Sequence, residues 1–202
     1  MNKLLVFWFA VLLLFAGAFC TCYVFQRAGG GPSVGQDETD YGPPLEHFQL
    51  TQSNGDRFDS KSLDGQVWVT NFFYSSCPTI CLRENMRVQE LEQEFGDRGV
   101  KFVSITIDPA NDTPSRLDEY SQRFNADPEN WVFLTGRMDY ITRVGKDIFQ
   151  TEIYPGGHTE RLFVIDRQGK IRGAYAFQNP AEMQQMRSML NQLLAEDADA
   201  AP

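Results

Sequence analysis

The chain has 202 residues, 42% hydrophobic and 22% charged, which suffices for one ordinary domain of about 150 residues plus an appendage and excludes a multidomain machine. Its 3 Trp, 7 Tyr and 16 Phe supply core material that a disordered or collagen-like chain lacks. The first 27 residues hold only Lys3 and Arg27 as charged side chains, so the remainder sets 16 basic against 27 acidic residues, and such an acidic surface excludes nucleic acid as a partner.

Residues 4–25 carry no charge, and at 1.5 Å per residue a helix of that length crosses a hydrocarbon core about 30 Å thick. A cleavable signal has a shorter apolar centre and a small-residue exit, whereas this run continues through Phe19, Cys20, Tyr23 and Phe25, so residues 1–25 read as an uncleaved anchor. Phe19 before Cys20, and Cys20 before Cys22, disfavour cleavage and lipidation there; both cysteines read as small apolar side chains facing lipid. Lys3 precedes the span and Asp37, Glu38 and Asp40 follow it; the positive-inside bias then predicts a single-pass inner-membrane protein with its domain on the periplasmic or outer face.

Residues 26–46 are dense in Gly and Pro and nearly free of aliphatics, a flexible tether with a span of roughly 25 Å. His47 at its end reads as a solvated or edge residue. Asn54-Gly55 between residues 48–50 and 57–58 signals a β-hairpin. Residues 67–73 and 100–107 read as buried strands. Between them a helix is expected from Cys77 to Phe95, on the spacing of Leu82, Met86, Val88, Leu91 and Phe95. Thr113-Pro114 caps and opens a second helix reaching Phe124. A strand at 131–134, a helix at 138–149, a hairpin of 162–165 with 171–176, and a helix at 181–195 complete the domain, 47–195. Residues 196–202 form an acidic tail, and no internal repeat is visible.

A βαβ half followed by a ββα half, with two cysteines where the first helix begins, is the order of a thioredoxin-like domain: a central mixed sheet flanked by helices, here with an N-terminal hairpin and a single N-terminal transmembrane helix. The cysteines read Cys77-Pro78-Thr79-Ile80-Cys81, one residue longer than Cys-x-x-Cys. Thiolates at a helix N-terminus gain from its dipole and free N–H groups, which favours metal binding and redox attack alike. His158, in Pro155-Gly156-Gly157-His158-Thr159, precedes a strand where such folds pack a loop over the cysteine pair. It could complete a site of two sulfurs and one nitrogen, suited to Cu(I), Cu(II) or Zn; the alternative is a histidine that merely caps or packs in its loop.

The motifs YSSCPTIC, SITIDPANDTP and GHTERLFVIDRQGK, in that order, resemble the Sco/SenC copper chaperones of cytochrome c oxidase assembly over roughly residues 44–194. The resemblance implies a membrane-anchored thioredoxin-like domain that binds one copper ion through Cys77, Cys81 and His158 and helps build the binuclear copper centre of oxidase subunit II. It also implies a role for Asp108, around the copper ligands or in partner docking; a turn carboxylate is the other possibility. Leu82 replaces the proline usual after the second cysteine, which leaves an N–H free and lets the helix begin earlier.

Met183, Met186 and Met189 lie three apart but continue into Leu190, Leu193 and Leu194, the pattern of a buried stripe rather than a thioether relay. The rival function is a membrane-tethered thiol–disulfide reductase using Cys77 and Cys81 on that target or another, without need of His158. A thiol peroxidase is less well supported, because Cys77 lacks the lead-in motif of that class.

Overall fold

The computed structural model describes residues 45–157 and 159–196. The predicted anchor, most of the tether, His158 and most of the acidic tail lie outside the described residues, and no helix among the described residues is long and apolar enough to cross a membrane.

Seven strands form one mixed sheet: β1 (Gln49–Gln52), β2 (Arg57–Asp59), β3 (Val67–Phe73), β4 (Val100–Thr106), β5 (Trp131–Thr135), β6 (Arg161–Ile165) and β7 (Ile171–Ala176), in the order β2-β1-β5-β4-β3-β6-β7. The three central strands run parallel, Val69 opposite Phe102 and Val103 opposite Val132. All seven residues of β3 are buried, as expected of a strand covered on both faces. β6 joins antiparallel to β3, with Val69 opposite Val164, and the β6–β7 hairpin closes that side. The N-terminal hairpin pairs as expected around Gly55, whose φ of 90° suits glycine, and it extends the sheet through Thr51 opposite Thr135 of β5.

Helices α1 (Ile80–Phe95), α2 (Pro114–Ser121), α3 (Met138–Asp147) and α4 (Pro180–Ala195) connect or follow these strands. One core joins α1, α2 and α4 to the sheet through Leu91, Phe95, Leu117, Met186 and Leu190. The opposite core seats α3 and the hairpin through Phe48, Leu50, Ile141 and Val144. The architecture is therefore a thioredoxin-like three-layer fold. Met183 and Met186 are buried and Met189 packs against the same core, so the methionine stripe is packing. His47 is exposed, as expected for a residue at the tether's end.

Caps set the helix starts. The Thr113 side chain accepts from Arg116 N with Pro114 in the first turn, and the Asn179 side chain accepts from Ala181 N and Glu182 N. The expected start of α1 at Cys77 is corrected to Ile80. Pro78 disfavours helical backbone in the residue before it, and Cys77 instead closes a turn, its N–H donating to Tyr74 O at 3.2 Å. A short 3-10 turn at Ser60–Leu63, capped by Asp59, was not visible in the hydrophobic pattern.

Candidate metal centre

The β3–α1 junction places both cysteines at the end of a central strand. Cys77 is 5% and Cys81 1% exposed, and neither forms a disulfide. Thr79 occupies the cap position of α1 without a side-chain bond. The sulfur of Cys77 does that work: the N–H of Cys81, second residue of the helix, donates to Cys77 Sγ at 3.4 Å, satisfying one of the orphan donors of the first turn.

This geometry splits the two thiols. Burial alone would raise Cys77, but the N–H groups of Cys81 and Thr79, the Cys81 thiol and the Tyr74 hydroxyl all donate toward its sulfur and lower it to about 7. Cys81 is pushed well above the ordinary thiol range by burial, against a backbone donor at Tyr74, and further by donating to the Cys77 sulfur. Around pH 7 Cys77 is therefore about half ionised, while Cys81 keeps its proton.

Two loops brace the junction. The carboxylate of Asp112, fully buried, accepts from Ser75 N at 3.0 Å, from Thr106 Oγ1 at 2.5 Å and from the Ser75 hydroxyl. It thus ties the segment leading into Cys77 to the loop after β4. Arg116 Nε donates to the same Ser75 hydroxyl at 3.4 Å. Asp108 lies in that second loop, half-buried, with its carboxylate accepting from Asn111 Nδ2 at 2.8 Å and 3.0 Å and its backbone C=O accepting from Asn111 N and Asp112 N. It serves a turn, and its charge reaches Tyr74 strongly enough to help raise that phenol, after burial and the Cys77 sulfur. Sequence reasoning missed Asp112; an acidic residue in NDTP reads like any turn residue, and only the fold shows that it is buried.

Behind the pair, α1 carries buried polar side chains. Asn85 Oδ1 accepts from Asn71 Nδ2 at 3.0 Å, and Asn85 Nδ2 donates to the Tyr120 hydroxyl at 3.2 Å. Ser104 Oγ donates to Asn71 Oδ1 at 2.7 Å and accepts from Trp131 Nε1 at 2.9 Å. The network links β3, β4, β5, α1 and α2, so the first turns of α1 sit on a hydrogen-bonded base rather than on a wholly apolar one. Leu82 stands as the third residue of α1, half-buried against the core.

The loop between α3 and β6 carries the predicted histidine motif. Tyr154-Pro155-Gly156-Gly157 forms a tight turn, with Gly157 N donating to Tyr154 O at 3.0 Å and Gly156 at φ 75°, the proline-then-glycine pattern of a type II turn. A Cβ at Gly157 would meet the exposed Tyr154 ring at 2.9 Å, so glycine lets that ring lie over the turn before His158. Gln150 and Glu160, at either end of this loop, both adopt φ of 51°, a left-handed conformation costly for residues other than glycine. His158 itself lies outside the described residues. Among the described residues no three His, Cys, Asp or Glu side chains are grouped to hold a metal ion; Cys77 and Cys81 supply two soft donors, which suit copper or zinc and not Mg or Ca.

Comparison with known proteins bears on this arrangement. The SCO1 protein homolog of Bacillus subtilis is 29% identical over 116 residues, 56% of this chain and 58% of that protein, so the match spans less than two thirds of the relative. The crystal structure of a SCO1/SenC family lipoprotein from Bacillus anthracis matches with a TM-score of 0.68 at 31% identity, over 74% of this chain and 94% of that one. Bradyrhizobium japonicum ScoI, solved with copper bound, shares the fold with a TM-score of 0.62 at 23% identity, over 75% of this chain and 99% of that one. Residues 36–195 match SCO1/SenC as a family, and the chain belongs to it.

Proposed function

We propose that this protein is a copper carrier that holds one copper ion through Cys77, Cys81 and His158 and hands it to the binuclear copper centre of cytochrome c oxidase subunit II. The observation that carries this reading is the paired, reduced thiols at the start of α1, with Cys77 poised as thiolate near neutral pH. Membership of the SCO1/SenC family supports it, as does a donor set of two sulfurs and an imidazole, which favours copper among available ions. Copper here is cargo. When it arrives, Cys81 must release the proton it holds, so uptake is coupled to proton release. The N-terminal anchor and tether would keep the domain at the outer face of the inner membrane, within reach of a membrane-bound acceptor.

Anaerobic titration of the reduced full chain with Cu(I) tests this. One tightly held copper per chain is expected, with His158→Ala weakening it by about 100-fold or more while far-UV circular dichroism stays unchanged. Unchanged affinity in a folded His158→Ala protein would remove the histidine from the site.

A second reading, thiol–disulfide reduction, has its own support in the unequal thiols: an accessible-charge sulfur near pH 7 beside a protonated, buried partner is the arrangement that attacks and then resolves a disulfide. It predicts reductase activity that survives His158→Ala.

A further inference from the structure

The two cysteines ride on different elements. Cys77 is carried by the segment that leaves β3, and Cys81 by the first turn of α1, so the contact from Cys81 N–H to Cys77 Sγ at 3.4 Å depends on how the helix is set against the strand. Apolar packing is non-directional and fixes neither the rotation of a helix nor its height along a strand sharply, whereas a hydrogen bond fixes both distance and direction. Such a bond lies directly below the pair: Asn71 Nδ2, on β3, donates to Asn85 Oδ1, on α1, at 3.0 Å, and the two residues are 1% and 0% exposed. Asn85 follows Cys81 by four residues, which puts it one turn further along on the same inward face. Neither amide is free to turn over. Asn71 Oδ1 is held by the Ser104 hydroxyl at 2.7 Å, and Asn85 Nδ2 donates to the Tyr120 hydroxyl at 3.2 Å. The Asn71 amide also donates to the buried Glu84 carboxyl, on the same turn of α1.

A buried amide pair adds little net stability over an apolar pair of the same shape, but it admits a single register, because any other leaves buried polar groups unpaired. We propose that Asn71 and Asn85 are positioning residues for the metal centre: their bond sets the rotation and height of α1 against β3 and thereby holds the Cys81 N–H on the Cys77 sulfur. Ser104 and Tyr120 orient the two amides from β4 and α2 and do not themselves join strand to helix.

The proposal deepens the copper reading and rests on it only for its second measurement. In the reduced, metal-free full chain, Asn85→Leu, similar in shape to the residue it replaces, should speed hydrogen exchange at the Cys81 amide about tenfold. Adding Asn71→Leu should speed it no further, as for two halves of one interaction. Ser104→Ala and Tyr120→Phe each strip another bond from the network and leave the tie; they should lower the urea midpoint while Cys81 exchanges like the parent. With Cu(I), Asn85→Leu should weaken binding about tenfold, and the two control variants should not. Should Asn85→Leu fail to fold, Asn85→Ala makes the same comparison. Cys81 exchange that stays at the parent's rate in the Asn85 variant, or that rises in all three variants in proportion to lost stability, would overturn the positioning role. A parent chain that takes up no tightly held copper would instead overturn the copper reading, and the exchange measurement would still decide the tie.

Discussion

The backbone N–H of Cys81 donates to the sulfur of Cys77 at 3.4 Å, so the first cysteine caps the helix on which the second one rides. A capping sulfur is stabilised as thiolate and a buried sulfur beside it is not, and this makes two residues of identical chemistry unequal.

Alkylation reads that inequality. The thiolate is the reactive species, so the rate at Cys77 in the reduced protein should rise with pH and reach half its plateau at about pH 7. Cys81 should stay nearly inert over the same range, because its thiol titrates far above it. Peptide mapping after iodoacetamide treatment at a series of pH values checks this; equal labelling of both cysteines at neutral pH contradicts it.

Oxidation should close the site. Cys77 lies ahead of α1 and the Cys81 thiol already donates to its sulfur, so a disulfide can form without unwinding the helix, in contrast to two cysteines both held within its first turn. The reaction passes two electrons to an added oxidant and releases the Cys81 proton, with a second proton only from the fraction of Cys77 still protonated, and leaves no thiolate to bind metal. The expected product of exhaustive oxidation is an intramolecular Cys77–Cys81 bond and a protein that takes up no copper until a thiol reductant is added. Free thiols persisting after oxidation, or copper held as well by the oxidised form, would show that the two sulfurs are not joint ligands.

Asp112 should matter more than its place in a turn implies. Asp112→Ala removes an acceptor from Ser75 N–H and from two hydroxyls in a buried setting, and should destabilise the domain by about 3 kcal/mol, measured by the urea midpoint. Because Ser75 leads into Cys77, the same change should also raise the pH at which Cys77 alkylates, toward that of an ordinary thiol. A variant that loses stability but keeps the parent's alkylation profile would mean that the two loops are braced independently.

Much of the fold was legible because hydrophobic period and caps act locally. The run at 67–73 and the Thr113-Pro114 and Asn54-Gly55 signals each produced the expected element. The start of α1 was misplaced by three residues because apolar spacing does not register the restriction that Pro78 places on Cys77. The cysteine pair was legible from spacing, but the splitting of its thiols was not, since it depends on which sulfur meets the helix N–H. Asn71 is hidden inside an otherwise apolar strand, and its partners Asn85, Ser104 and Tyr120 are distant in sequence; such networks form only once the sheet brings them together.

The anchor read from residues 4–25 makes a separate expectation. The full chain should remain in the membrane fraction through high-salt washing and be released only by detergent, with the domain open to protease added from the outer face. A soluble mature chain lacking the first ~20 residues would identify the segment as a cleaved signal.

The N-terminal hairpin has a consequence for how the domain can be cut. Without β1, strand β5 would present a row of unpaired backbone groups at the border of a parallel core, a template for pairing with another chain. With the hairpin in place the border passes to β2, three residues long and bearing exposed Arg57, which is too short and too charged to recruit a neighbour. A soluble version must therefore begin before residue 48; one trimmed to β3 would keep both cysteines and most of the core, yet is expected to aggregate. Those first few strand residues thus guard the domain against self-association.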